Sequence, residues 1–454
     1  MPFDCLIRGG TAVFPERGVM PADFAIQDGK IAAILQPGEN VGEASRIIDA
    51  TGKHVFPGII DAHIHFGFAE PLTEYNTETI YAAQGGVSTV LGYFLNNEPY
   101  TEVYAEQLAE AESRAYVDFG FHFSTAKDIH LDELATYIAR CGVNSFKYFM
   151  NFKGDEGRYL GLDGTDDGFM YDLLASAAKF DGAIVVMHTE NIELVSRIRR
   201  RFQEEGRDTF RDYCDSKPAF TETENIVRAM VFAEETGATI YIPHVSCAGG
   251  LDEVRYYRER YGKIFIETCP HYLTHHKEMD LGSIGKANPP FRTAEDCEAL
   301  WEALADGTVD VVASDHVPRK RATKEKGIWQ ASQGFPGTAT ILPVLLSEGY
   351  HKGRLDLQRI AQLVTGAPAE IFGIDKRKGF LAPGADADIT LVDLAKAREV
   401  KADELGSYSD YSLYDGWTLK GWPVMTMVRG EVVMQDGEIV GKAGHGSYLS
   451  RPLT

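Results

Sequence analysis

The middle of this chain is a succession of short apolar or β-branched runs, most of them followed by polar, helix-forming stretches long enough for a crossover. Eight such runs are present: Gly58 to His65, Val87 to Phe94, Asp118 to Thr125, Val143 to Met150, Ala183 to His188, Thr239 to Val245, Ile264 to Cys269 and Val309 to Asp315. Strands buried on both faces read in this way. Eight of them with intervening helices over about 250 to 300 residues match the plan of a parallel (β/α)8 or TIM barrel, an α/β fold. The connections are uneven, with long segments after Lys147 and His188. No low-complexity tract, heptad pattern or solenoid repeat supports another architecture.

Both ends of the chain are β-rich instead. Phe24 to Ile34 is strand, Asp28-Gly29, strand, and Met427 to Val440 ends in the same way around Asp436-Gly437; Asp-Gly is a dipeptide that tight hairpin turns prefer. Neither end alone has the apolar residues for an independent core, so the two are expected to join in one small β-domain. The expected division is 1–55 and 371–454 for that domain and 56–370 for the barrel.

Composition excludes several partners. Lys and Arg total 45 against 67 Asp and Glu, a net charge of −22; attraction to nucleic acid or to an anionic membrane surface is not expected. No apolar run reaches the ~18 residues of a membrane span, and the start, MPFDCLIRGG, lacks the pattern of a secretory signal. The six cysteines show no C-x-x-C spacing and read as reduced, buried thiols of a cytoplasmic protein.

The active face of such a barrel is where the strand C-termini meet, and five of the eight runs finish on a residue able to bind a metal. His63 and His65 stand two apart, so an extended chain points both imidazoles to one side. Lys147 sits among aromatic residues in Asn144 to Met150. An unpaired ammonium there loses solvation or its proton, and the neutral amine can take up carbon dioxide to give an anionic carbamate able to bridge two metal ions. The other reading of Lys147 is a stem that crosses the strand while its head reaches solvent. His188 and His244 each end an apolar run, where a single histidine is ordinarily a core or loop residue. Asp315 ends the eighth run, where its ordinary role would be to cap the next element. Together, four histidines, a lysine and an aspartate offer N and O ligands suited to zinc or another divalent first-row ion. Two such ions about 3.5 to 4 Å apart hold a hydroxide at neutral pH, which is the chemistry of hydrolysis.

At these residues the chain resembles the amidohydrolase superfamily, and within it the cyclic amidases: dihydropyrimidinase, hydantoinase, allantoinase and dihydroorotase. The matching stretches are Pro57 to His65, Ser145 to Met150, Glu267 to Leu273, Asn288 to Arg292 and Ser314 to His316. The resemblance implies that a carboxylated Lys147 bridges two metal ions, that His63, His65 and Asp315 complete one site, and that His188 and His244 complete the other. It also implies a terminal β-sandwich, a homo-oligomer (dimer or tetramer), and a small cyclic amide as substrate, opened to an N-carbamoyl acid. Asp315 would carry the proton. Asn288 and Gln333 would hold the ureide edge of the ring, although the hydantoinase branch usually has asparagine at the latter. Where that branch carries a tyrosine that stabilises the tetrahedral intermediate, this chain has Phe152, and Asn151 or Lys153 is left as an alternative donor.

Motifs of two branches are mixed. Pro270-His271-Tyr272 and Lys286 to Pro290 look like allantoinase or dihydroorotase, whereas Phe146 to Met150 and Gly334 to Gly337 look like hydantoinase. Dihydroorotase usually places an arginine soon after the first H-x-H; here Phe66-Gly67-Phe68-Ala69-Glu70 follows, which argues for a less charged, aromatic ring substituent. The expected function is therefore ring opening of the hydantoinase or dihydropyrimidinase type, with allantoinase and then dihydroorotase as alternatives. A non-catalytic scaffold of the same fold is the alternative from another class.

Overall fold

The computed structural model describes residues 2–68, 73–154, 157, 161 and 164–453. Ala69 and Glu70, at the end of the segment read above against dihydroorotase, lie outside them. Among the described residues the strands form three sheets.

Seven strands precede the barrel: β1 (Phe3–Arg8), β2 (Thr11–Phe14), β3 (Gly18–Pro21), β4 (Asp23–Gln27), β5 (Lys30–Leu35), β6 (Ala44–Asp49) and β7 (His54–Pro57). The barrel strands are β8 (Ile59–His65), β9 (Val87–Phe94), β10 (Asp118–Ser124), β11 (Ser145–Phe149), β12 (Ile184–His188), β13 (Thr239–Ile242), β14 (Ile264–Thr268) and β15 (Val311–Val312). Four follow: β16 (Ile389–Glu399), β17 (Thr418–Val428), β18 (Glu431–Gln435) and β19 (Glu438–Ile439).

β8 to β15 lie side by side in sequence order, every neighbour parallel. The ring closes just beyond β15, where the His65 amide donates to the His316 carbonyl (2.8 Å) and the His316 amide to that of His63 (3.3 Å). All eight sequence runs are barrel strands, most of them trimmed at their ends. Pro243 has no amide to donate, so β13 stops at Ile242. The last run, expected to reach Asp315, leaves the ladder after Val312 because the buried Asp61 carboxylate takes the Ser314 amide (3.0 Å) and hydroxyl (2.5 Å). Inside the barrel, Ala62, Leu91, Tyr93, Val186, Tyr241 and Val311 pack against one another as a solid core.

The two chain ends do join. One sheet runs β19-β18-β17-β16-β7-β2-β3, and its N- and C-terminal halves meet where Ile389 pairs with Pro57 and Val392 with His54. The other, β5-β4-β1-β6, is N-terminal alone. Between them Ile7, Phe14, Phe24 and Ile26 bury against Ile389, Leu391, Met425 and Met427, a sandwich core drawn from both ends. Both expected hairpins form, with φ of 53° and 72° at Asp28-Gly29 and 51° and 96° at Asp436-Gly437, the paired left-handed residues of a type I′ turn.

The last residues return to the barrel. Leu449 donates to Phe119 (2.7 Å) and Arg451 to Gly142 (2.7 Å), across the end of the barrel opposite the strand C-termini. All six cysteines are buried and unpaired. Among the described residues no helix is long and apolar enough to cross a membrane.

Candidate active site

A cavity of about 590 Å³ opens over the strand C-termini, and His63, His65, Lys147, His188, His244 and Asp315 all line it. The two-residue spacing on β8 brings the Nε2 atoms of His63 and His65 within 3.2 Å of each other, and Asp315 Oδ1 lies 3.0 Å from the first and 3.2 Å from the second. Ligand atoms of these three residues fall within 4.8 Å of one another. Two of the site residues stand on left-handed backbone just past their strands, His244 at φ 44° and Asp315 at φ 50°, so the chain turns over the barrel rim instead of running on outward.

The tautomer of His63 is set by its neighbour. Its Nδ1 lies 2.7 Å from Glu267 Oε1 and donates there, so Nε2 is the nitrogen that faces the cluster. Glu267 is held in turn by the Tyr241 hydroxyl (2.7 Å) and the His244 amide (3.2 Å). Burial alone would lower the His63 pKa, but Glu267 and Asp315 together lift it to about 9. Burial prevails at His65, which falls to about 4. Burial would raise Asp315, yet the two imidazoles hold it well below the usual carboxylate range.

Lys147 is 1% exposed, so its head does not reach solvent. Its Nζ lies 4.7 Å from the centre of the Tyr93 ring and 5.3 Å from that of Phe149, and burial brings its pKa down to about 8. More of the amine is therefore neutral near pH 7 than in an ordinary lysine. His188 and His244 face each other with ring centres 4.5 Å apart, and His244 lies 5.5 Å from His63, so the four rings form one continuous group. The buried His188 Nε2 has no hydrogen-bond partner; Glu190 Oε2 approaches it to 3.6 Å while bound to Lys217 Nζ at 3.0 Å.

The remaining candidates are divided. Asn288 and Gln333 both line the cavity and meet, Nδ2 donating to Oε1 at 2.6 Å, while the Tyr213 hydroxyl donates to Asn288 Oδ1 (2.7 Å). Phe152 lines the cavity too, its ring 4.6 Å from Phe149 and 6.2 Å from His188. Of the two alternative donors, Asn151 is buried with neither amide atom partnered, Lys153 borders a separate small cleft, and neither is among the described residues lining the cavity. Phe68 lines the cavity, whereas Phe66 turns away and stacks on Tyr75 (4.4 Å). His316 also turns away, its Nε2 lying 2.9 Å from Glu78 Oε2.

Sequence reasoning missed the roles of Glu267, Tyr93 and Lys217. The signal for the first was present, since a carboxylate in the apolar run Ile264 to Cys269 must find a partner. Tyr93 carried no signal beyond its place near the end of a strand; its ring stacks on His65 at 5.1 Å.

A profile of the amidohydrolase family matches residues 54–433, the whole barrel and most of the strands that follow it. The chain belongs to the amidohydrolase family. Among the curated members of that family, it is 37% identical to an allantoinase from Solibacter usitatus over 99% of this chain and 97% of the relative. It is 32% identical to an L-hydantoinase from Paenarthrobacter aurescens, over 99% and 98% of the two chains. The D-hydantoinase structure from a Bacillus sp. superposes with a TM-score of 0.92 at 30% identity, over 99% of each chain. The family fold, a (β/α)8 barrel with a β-sandwich of the two termini, is thus the fold seen here.

Proposed function

We propose that this chain is a binuclear metal-dependent hydrolase that opens a cyclic ureide or imide ring to an N-carbamoyl amino acid, in the manner its hydantoinase relatives are named for. The observation that carries the reading is the convergence of four histidines, one buried lysine and one aspartate on a single cavity at the barrel's C-terminal face. The donor set fits divalent metal, zinc foremost. His63 offers Nε2 because Nδ1 is committed to Glu267, His188 Nε2 is buried without a partner, and the chemistry is all nitrogen and oxygen.

In this reading His63, His65 and Asp315 would hold one ion, His188 and His244 the other, and a Lys147 carboxylated on Nζ would serve both. When bound, the pair supplies Lewis-acid polarisation of a ring carbonyl and a hydroxide nucleophile at neutral pH. Water adds across one ring C–N bond. Asp315 would take the nucleophile's proton and return it to the nitrogen that leaves. Asn288 and Gln333 position the ureide edge, and Phe68, Phe149 and Phe152 keep bulk water from the reacting carbonyl.

We propose a cytoplasmic enzyme on its reduced, buried cysteines, a homo-oligomer, dimer or tetramer, on the family resemblance, and the domain division 1–55, 56–370 and 371–454. Allantoinase is the second reading, favoured by the 37% identity to an allantoinase and by Pro270-His271-Tyr272.

The test is ring opening by the purified protein with zinc and bicarbonate on hydantoin, phenylhydantoin, dihydrouracil, allantoin and dihydroorotate, beside Lys147→Ala. Turnover of one ring, abolished in the variant, is expected and names the substrate class. Metal binding without opening of any ring would refute the hydrolytic reading and favour the scaffold.

A further inference from the structure

Among the described residues, the cavity wall beyond the ligand cluster carries cations. Although the chain carries a net charge of −22, Arg199, Lys286, Arg319 and Lys326 line the cavity beyond the ligand cluster, and Asp315 is the one carboxylate among the described lining residues. Arg319 and Lys326 come from the loop that follows β15. Lys324 of the same loop is wholly buried, and its Nζ donates to two carbonyls, of Lys286 (3.0 Å) and Ser332 (2.9 Å). Among the described residues no carboxylate pairs with Arg319, Lys324 or Lys326. Burial first, and then the charges of Arg319 and Lys286, push Lys324 well below its ordinary pKa.

Arg319 is set for a ligand. One Nη donates to the Phe68 carbonyl (3.1 Å), the buried Nε has no acceptor, and the guanidinium lies over the Phe68 ring at 5.1 Å. Phe68 in turn meets His65 edge-on, ring centres 5.5 Å apart. The cation therefore stands one phenyl ring beyond a candidate metal ligand, the reach of a short side arm on a bound ring. A cavity of 590 Å³ encloses far more than one small ring needs.

We propose that the ring opened here bears an acidic arm, a carboxylate met by Arg319 and, at the mouth, by the exposed Lys326. This rests on the hydrolytic reading above and deepens it by naming the substrate's substituent. It also revises the expectation of a less charged, aromatic substituent drawn from the missing arginine after His65: the cation comes from the loop after β15 instead. The guanidinium fork suits a carboxylate, and the buried Arg319 Nε without an acceptor is a donor such an arm would satisfy.

The test compares a hydantoin carrying a carboxyethyl arm with its neutral carbamoylethyl isostere. The acid is expected to show a kcat/KM higher by about tenfold or more, through KM, and the advantage should shrink with added salt. Arg319→Gln should bring the acid-to-amide ratio close to unity, and Arg319→Lys should retain part of it. Lys326→Gln, at an exposed position that folding does not depend on, should lower the ratio by a smaller factor. Equal or better use of the amide, or a ratio unmoved by Arg319→Gln, would overturn the proposal. If neither ring is opened, calorimetric titration of the zinc-loaded protein with the same two compounds decides it separately. Tighter binding of the acid, lost in Arg319→Gln, upholds the acidic arm while the hydrolytic reading fails; binding without preference refutes the arm itself.

Discussion

At the scale of single residues, the site depends on groups that themselves touch no substrate. Glu267 fixes the tautomer of His63 through a 2.7 Å contact, and its loss would free the ring to turn and its proton to move. Glu267→Gln should therefore weaken metal binding by about 10- to 100-fold, read by chelator competition; an affinity equal to wild type would show that the carboxylate does not orient the ligand. Glu190, beside His188, is held by Lys217. Burial would raise its carboxyl, but the ammonium outweighs that and brings it down to about 2. A depressed folded-state value means a contribution to stability that is present above the unfolded pKa of about 4.3 and lost as the pH falls toward 2. Denaturation of Glu190→Gln should show roughly 3 kcal/mol less stability at neutral pH and a shallower acid decline between pH ~4 and ~2. A parallel pair of pH curves would contradict this. Phe152, by contrast, faces the cavity itself. It lines the cavity with no hydroxyl at the place where the hydantoinase branch has one, and neither neighbouring alternative enters the cavity. Phe152→Tyr is expected to raise kcat by about tenfold or more on the ring that the wild type opens; no gain would mean that another donor already serves the oxyanion.

At the scale of elements, what could be read from the chain was whatever follows from local periodicity. Eight apolar runs became eight barrel strands, and the alternation of side chains on β8 put His63 and His65 on one face as period two requires. The Asp-Gly hairpins were legible because their left-handed turns need those residues. What was not legible depended on partners far away in sequence. β15 ends early because Asp61, on β8, captures Ser314, and only that capture turns Asp315 inward over the barrel. The burial of Lys147 was undecided for the same reason, since the rings that enclose it, Tyr93 and Phe149, come from two different strands. Nor did the spacing after His65 reveal Arg319, which a loop more than two hundred residues later brings to the same cavity.

At the scale of the whole molecule, the chain's two ends are used to close what the barrel leaves open. The sandwich ties β7 to β16, and the final residues cover the barrel end opposite the site. Arg451 is the keystone of that cover: its buried guanidinium donates to the Phe121 carbonyl and the Ser145 hydroxyl, and although burial lowers its pKa to about 10 it stays charged at neutral pH. Ser145 also meets His122 at 2.6 Å, so the contact reaches side chains inside the barrel. Arg451→Met keeps much of the packing volume but removes the donors, leaving a buried carbonyl without its partner. That should cost ~2–4 kcal/mol and lower the melting midpoint. The candidate metal ligands lie at the other end of the strands, so kcat of the folded variant at 25 °C should stay close to wild type. A midpoint unchanged by the substitution would show that the tail merely lies against the barrel. A kcat that falls together with the midpoint would show that the floor of the barrel holds the geometry of its rim.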